Sequence, residues 1–329
     1  MVRVANWLGD TVMALPALAR LRAARPRARI TVVGRWAPLL SGQSVADILL
    51  AYPRRASERL AFGRSLRQQR PDLALVLPNS LESALAACWW RADRRVGFNT
   101  DGRGALLTDV VPLPSPRRHQ IDEYAALFQA AGIETGADLT PTWKPRERPA
   151  IQAEVDALLA QAGVRAGLRI VGLHLGAAFG QSKLWPAESF GRLASRLDRA
   201  GLTPLLLGGP EDAETAQAVA RTAAPPAPPS LVGRDRPALL PCLLARLNCL
   251  VSGDTGVAHL AAAVGVATVT VFGPTDPRLS APRGPRARVL YGAVPCSPCF
   301  LPTCAIDHIC LRRIEVDDVE REVTRVVTA

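Results

Sequence analysis

The feature that most constrains this chain is a β–α alternation that runs through its first part, halts at a proline-bearing polar stretch, and starts again. Residues 2–5, 30–33 and 73–77 are short, apolar and without alternation, the pattern of parallel strands covered on both faces. Between them, residues 11–24 and 81–90 carry helical spacing, the second behind the capping candidates Asn79 and Ser80, and 119–131 forms a further helix stopped by Gly132. The stretch Pro141-Thr142-Trp143-Lys144-Pro145-Arg146-Glu147-Arg148-Pro149 then reads as an interdomain linker. Beyond it the pattern resumes. Helices are predicted over 151–162, 186–200, 210–221 and 255–264, and strands over 169–173, 203–207, 249–252 and 267–272, with 225–229 as a stiff proline loop. The expected fold class is α/β, two doubly wound parallel sheets, with ligands at the carboxyl ends of strands and in the cleft between two domains.

Length agrees, since 329 residues suit about two domains. The longest nearly uncharged apolar stretch, residues 260–273, falls short of the roughly 18–20 residues of a spanning helix. Met1 leads straight into the first strand, so no leader is expected and a cytoplasmic protein is predicted. The basic excess is arginine, 38 against only two lysines, Lys144 and Lys183. Residues 1–145 hold 20 basic and 12 acidic groups, the remainder 20 and 17, so most of the net +11 lies in the first domain. Arg54, Arg55, Arg59, Arg64, Arg67 and Arg70 follow one another with only Glu58 to offset them. Such a surface suits a phosphorylated substrate, an anionic membrane face or nucleic acid, or is simply a solvated face of an arginine-rich chain.

Two nucleotide signatures are missing. No G-x-G-x-x-G follows a strand and no G-x-x-x-x-G-K-[ST] occurs, which argues against dinucleotide dehydrogenases and P-loop phosphotransferases. Three other stretches can carry chemistry. Asn6-Trp7-Leu8-Gly9-Asp10 sets a carboxylate between the first strand and first helix, where Asp10 either caps the helix or faces a ligand. The loop from His174 through Gly180-Gln181-Ser182-Lys183-Leu184-Trp185-Pro186 combines small residues, which admit close backbone approach, with Lys183 as a point charge for phosphate. Ser252-Gly253-Asp254-Thr255-Gly256-Val257-Ala258-His259 turns a strand end into a helix whose free amides and dipole suit an anion. Asp254 either caps that helix or accepts a sugar hydroxyl. His259 is either a core histidine or a neighbour of the same pocket.

Together with the strand end Val76-Leu77-Pro78-Asn79-Ser80, these stretches resemble glycosyltransferase family 9, the ADP-heptose:lipopolysaccharide heptosyltransferases, along nearly the whole chain. The Leu77-Pro78-Asn79-Ser80 turn is most similar to the heptosyltransferase II branch. The resemblance implies a GT-B fold: an acceptor-binding Rossmann-like domain over 1–145, a nucleotide-sugar domain over 146–315, and a final helix, 316–329, crossing back onto the first domain. It further implies inverting transfer of heptose from ADP-heptose to the anionic lipid A–Kdo core, with no cofactor required. Asp10 would be the general base and Lys183 the phosphate-binding lysine. Ser182, Lys183, Glu211, Asp254, Thr255, Gly256 and His259 would serve the donor; Asn79, Arg55, Arg59 and Arg118 the acceptor. A lipid-linked acceptor implies transient contact with the cytoplasmic face of the inner membrane.

Cys88, Cys242 and Cys249 sit in apolar segments and are expected to be buried. Cys296, Cys299, Cys304 and Cys310, spaced C-x₂-C-x₄-C-x₅-C around His308, either hold a structural zinc or are reduced thiols. A GT-B transferase using another nucleotide sugar, such as a UDP-sugar, is the alternative within enzymes. A nucleic-acid-binding protein is disfavoured, because no binding motif is present and aromatics are only 5%.

Overall fold

The computed structural model describes residues 1–144, 149–234 and 236–328. The chain forms two compact units, Met1–Thr142 and Trp143–Ala329. The expected boundary after residue 145, and residues 145–148 of the expected linker, lie outside the described residues.

The first unit is a six-stranded sheet of β1 (Val2–Arg3), β2 (Thr31–Val33), β3 (Ile48–Leu50), β4 (Leu73–Val76), β5 (Arg94–Phe98) and β6 (Asp109–Val111). Every pairing is parallel and the order is β3-β2-β1-β4-β5-β6. Order reverses between β1 and β4, and at such a switch point the outgoing loops diverge and leave a crevice at the strands' carboxyl ends. Those loops are 4–7 after β1 and 77–80 after β4. The predicted helix over 11–24 is two helices, Leu8–Met13 and Leu15–Ala24, parted at Ala14. Pro16 is the cause: it cannot donate to the carbonyl of Val12, and its ring would crowd it.

The second unit holds β7 (Ile170–His174), β8 (Thr203–Leu207), β9 (Cys249–Gly253), β10 (Ala267–Phe272) and β11 (Ala287–Tyr291) in the all-parallel order β11-β10-β9-β7-β8. Its switch point lies between β7 and β9, whose exits are the Lys183 loop and Gly253-Asp254-Thr255. Its core joins the sheet residues Val171, Leu173, Val251, Val269 and Val271 to Phe190, Leu193 and Leu197 of helix Ala187–Arg199.

Helix Val316–Thr328 buries Val319, Val323 and Val326, at three- and four-residue spacing, in this second core, against β9, β10, β11 and helix Ala187–Arg199. That stripe makes it part of the second unit's core. Among the remaining cysteines Cys249 is buried, Cys242 half-buried, and Cys88, expected inside, is exposed. No helix among the described residues is long and apolar enough to cross a membrane.

Candidate functional site

In the first unit the predicted residues fall at the carboxyl edge of the sheet, because each precedes or opens a helix that follows a parallel strand. Asp10 is not the cap of its helix. Trp7 holds that position without a side-chain hydrogen bond, and Asp10 sits inside the first turn of Leu8–Met13, where the helix dipole favours a carboxylate. Tyr124, buried in helix Gln120–Ala130, donates its hydroxyl to Asp10 Oδ1 at 2.7 Å. Burial, the Asp10 charge and that hydrogen bond together push the Tyr124 phenol well above its ordinary value, so it remains a donor. Arg3, buried on β1, steadies the same loop: Nη2 donates to Asn6 Oδ1 at 3.1 Å while the guanidinium lies 3.9 Å from the centre of the Tyr52 ring. Burial lowers the Arg3 pKa from its usual value.

Asn79 lies at the β4 exit. Its backbone carbonyl accepts from Thr100 Oγ1 at 2.7 Å, while its side-chain Oδ1 is buried with no hydrogen-bond partner among the described residues. The three arginines differ. Arg55 is highly exposed, with Glu58 at 3.9 Å. Arg118 is exposed and its backbone N–H donates to the buried carboxylate of Glu123 at 3.1 Å. Arg59 is occupied internally: it donates to the carbonyls of Pro53 and Arg54 and lies 3.8 Å from Glu82. It organises the loop between β3 and helix Ala56–Arg67 more than it offers a free cation.

The second unit gathers its predicted residues more tightly. Lys183 Nζ meets Asp254 Oδ2 at 2.5 Å, with side chains only 12% and 7% exposed, and lies 4.7 Å from the centre of the Phe179 ring. Thr275 Oγ1 donates to the same Asp254 oxygen at 2.8 Å. Asp254 therefore caps nothing; Thr255 is the N-cap of helix Gly256–Val264, and its hydroxyl pairs with Ser252 Oγ at 2.9 Å and not with the helix amides. The helix thus begins without a side-chain cap, two residues after Asp254 and its lysine partner, which leaves its first-turn amides able to receive an anion. Gly253 is required here, since a Cβ would come 2.7 Å from the Lys183 carbonyl oxygen. His259 is buried a turn into the helix. His174, at the end of β7, lies 3.3 Å from Ser252 Oγ, and burial pulls its imidazole down to about 4, so it is neutral near pH 7.

Glu211 is exposed on the turn after β8. Its neighbour Asp212 is the buried carboxylate: it accepts from the Gly209 amide at 2.8 Å, and burial raises its pKa. Ser182 is also buried, and its hydroxyl donates to the Leu301 carbonyl at 2.5 Å while its amide donates to Pro302 at 3.1 Å. Cys299 and Phe300 amides donate to the Pro274 carbonyl at 3.0 and 2.8 Å. The cysteine-bearing segment is thus a brace between the Lys183 loop and the turn after β10, and Ser182 is its anchor. Cys310 is buried, Cys304 half-buried, and Cys296 and Cys299 are exposed; burial raises the Cys310 pKa, with a further contribution from Cys296 and Cys304, and among the described residues no three His, Cys, Asp or Glu side chains are grouped to hold a metal ion.

Tyr124, Arg3 and Asp212 were not singled out from the sequence, and His174 entered only as the first residue of the Lys183 loop, with no role of its own. Tyr124 and Arg3 leave no local signal, one because its partner lies 114 residues away and the other because an arginine in a strand reads as exposed. His174 and Asp212 each adjoin a strand exit, the only mark that could have found them.

Comparison with known proteins gives a consistent result. Residues 59–310 match the model of glycosyltransferase family 9 (heptosyltransferase). Lipopolysaccharide heptosyltransferase 2 of Escherichia coli K12 is 30% identical over 297 residues, covering 87% of this chain and 85% of that protein. The solved structure of E. coli ADP-heptose LPS heptosyltransferase II superposes with a TM-score of 0.82 at 27% identity, covering 99% of this chain and 98% of that one. A family 9 glycosyltransferase from Veillonella parvula superposes with a TM-score of 0.85 over 99% and 97%, and at 20% identity it speaks to the fold alone.

Proposed function

This chain belongs to glycosyltransferase family 9, and on that premise we propose that it moves L-glycero-D-manno-heptose from ADP-heptose to the lipid A–Kdo/heptose inner core of lipopolysaccharide, inverting the anomeric centre. It is a glycosyltransferase with a GT-B fold, and its E. coli relative of 30% identity is a lipopolysaccharide heptosyltransferase 2.

In this reading the oxygen of an acceptor hydroxyl attacks the anomeric carbon as the bond from that carbon to the β-phosphate oxygen breaks, and ADP departs with the electron pair. Asp10 takes the hydroxyl proton during the attack, help typically worth about 10²–10⁴ in rate. The Tyr124 hydroxyl fixes Oδ1 of that carboxylate, so its orientation is set before the acceptor arrives. Departing ADP gains negative charge, which Lys183 and the uncapped start of helix Gly256–Val264 stabilise with no cofactor. Asp254 holds the lysine in place at 2.5 Å and shares it with the diphosphate when the donor binds. His174 stays uncharged and orients Ser252 and Thr255 beneath the helix start. Arg55, Arg118 and the unspent Asn79 Oδ1 meet the phosphates, carboxylates and hydroxyls of the acceptor.

The observation that most supports this reading is the buried Lys183–Asp254 pair beside an uncapped helix start at the second sheet's switch point. The test is product analysis with ADP-heptose and either lipid A–Kdo or its mono-heptosylated form. Heptose transfer with release of ADP is expected, and melting temperature should rise with ADP more than with UDP. A protein stabilised by UDP that transfers from a UDP-sugar and leaves ADP-heptose intact would replace this reading with the other nucleotide-sugar one.

A further inference from the structure

Helix Leu81–Trp89 turns two apolar faces outward and inward. The inner one, Ser83, Ala84 and Ala87, is small and buried. The outer one is large: Leu81, Leu85 and Trp89 recur every four residues and so share one side of the helix, at 45%, 49% and 42% exposed. A surface helix ordinarily shows polar residues on that side.

The stripe is bordered by helix Ala56–Arg67. A Cβ on Gly63 would come 2.5 Å from Trp89 Cδ1, so the glycine lets the indole lie against that helix, and the Arg67 guanidinium stands 5.7 Å from the centre of the Trp89 ring. Leu60, half exposed, sits one turn before Gly63 and Arg64 and widens the apolar area. Helix Ala56–Arg67 and its flanks carry Arg54, Arg55, Arg59, Arg64, Arg67 and Arg70 against Glu58, and Glu82 of the neighbouring helix already takes Tyr52 and Arg59.

We propose that this face docks the protein, reversibly, on an anionic lipid bilayer. The charge pattern selects the occupant. Leucines and an indole flanked by arginines match the boundary between acyl chains and anionic headgroups, where the arginine stems lie along apolar surface and their heads reach phosphate. Each arginine near such a surface is worth about a factor of five in partitioning. A neutral protein partner would leave Arg54, Arg64, Arg67 and Arg70 without an acidic counterpart, whereas Arg55 and Arg59 already have Glu58 and Glu82 nearby. The stripe also starts at the correct place: Leu81 follows the exit of β4, and half-exposed Trp7 follows the exit of the neighbouring β1, at the sheet edge that carries Asp10 and Asn79. In adding a lipid surface to the acceptor, this inference rests on the heptosyltransferase reading; the docking itself does not need donor or acceptor.

The test is sedimentation of the full chain with vesicles of phosphatidylcholine alone and of phosphatidylcholine with phosphatidylglycerol, free of any acceptor. Strong, salt-weakened binding to the anionic vesicles and little to the neutral ones is expected. The Leu81→Ser/Leu85→Ser variant should bind at least about tenfold less tightly, as should Arg64→Glu/Arg67→Glu. Both should keep the wild-type melting temperature and transfer to a deacylated, soluble acceptor. Wild-type protein that stays in the supernatant with anionic vesicles overturns the proposal, as do variants that still pellet with them. A dimer that these variants dissociate would assign the face to a second copy of the chain instead. Failure of heptose transfer with intact vesicle binding would strike the function and leave the docking face standing.

Discussion

Lys183→Met is the most informative single change in the second unit. It keeps the apolar stem and removes the charge, leaving Asp254 almost buried with Thr275 as its remaining donor. Breaking one side of a buried ion pair costs about 3–5 kcal/mol, because the abandoned charge has lost its solvent and its partner. The Thr275 hydrogen bond, at 2.8 Å, survives, so the lower end applies, about 3 kcal/mol. For a domain of this size that corresponds to a melting-temperature drop of roughly 6–12 °C. Asp254→Asn strands the lysine instead and should cost a similar amount. The double variant removes both charges and should cost less than the two singles together by about 2 kcal/mol. Urea unfolding followed by circular dichroism, with ADP titration by calorimetry on the same samples, reads stability and donor binding in parallel. ADP should bind more weakly to both variants that lack the lysine. Single variants costing under about 1 kcal/mol, the range of an exposed pair, or strictly additive effects, would refute a buried, coupled pair.

Further outcomes are expected. Tyr124→Phe removes the hydroxyl that donates to Asp10 Oδ1, a charged hydrogen bond worth about 1.5–3 kcal/mol; kcat should fall roughly tenfold or more while ADP affinity holds, and unchanged kcat would mean that Tyr124 does not position the base. His174 has its pKa depressed to about 4, so the unfolded chain takes up a proton first as pH falls. Stability should therefore decline between pH 6.5 and about 4, by at most about 3 kcal/mol, and His174→Gln should flatten that decline in acid-denaturation scans. Gly253→Ala sets a Cβ 2.7 Å from the Lys183 carbonyl and should displace that loop, weakening ADP binding more than it lowers the melting temperature; equal ADP affinity would mean the loop does not hold the nucleotide.

Which parts were legible follows from what a local pattern can encode. Strands buried on both faces, such as β4, β7 and β10, announced themselves as apolar runs. β5 did not, because it opens with two arginines whose charges are met elsewhere: Arg94 by Asp109 on β6, Arg95 by the carbonyls of Ala92 and Leu106. β6 and β11 are edge strands, half-buried and partly polar, and β3, though apolar, is an edge strand of only three residues, Ile48–Leu50. The break at Ala14 was readable from Pro16 and was missed. The final helix was recognised as a helix, but an amphipathic stripe does not name the surface it will cover. Lys183 and Asp254 stood out from their flanking glycines and strand ends, yet their pairing across 71 residues came only from folding. Ser182 shows the same limit: its place beside Lys183 was readable, while the hydrogen bond of its hydroxyl to the Leu301 carbonyl, 119 residues on, was not.

The central claim is that Asp10 removes the acceptor proton while the second unit holds the nucleotide. Steady-state kinetics of Asp10→Asn with ADP-heptose, alongside ADP titration by calorimetry, tests it most directly. The account predicts kcat lower by about 10²–10⁴ with the ADP dissociation constant unchanged. Wild-type kcat in the correctly folded variant, or a loss of ADP affinity that accounts for the whole decrease, contradicts it.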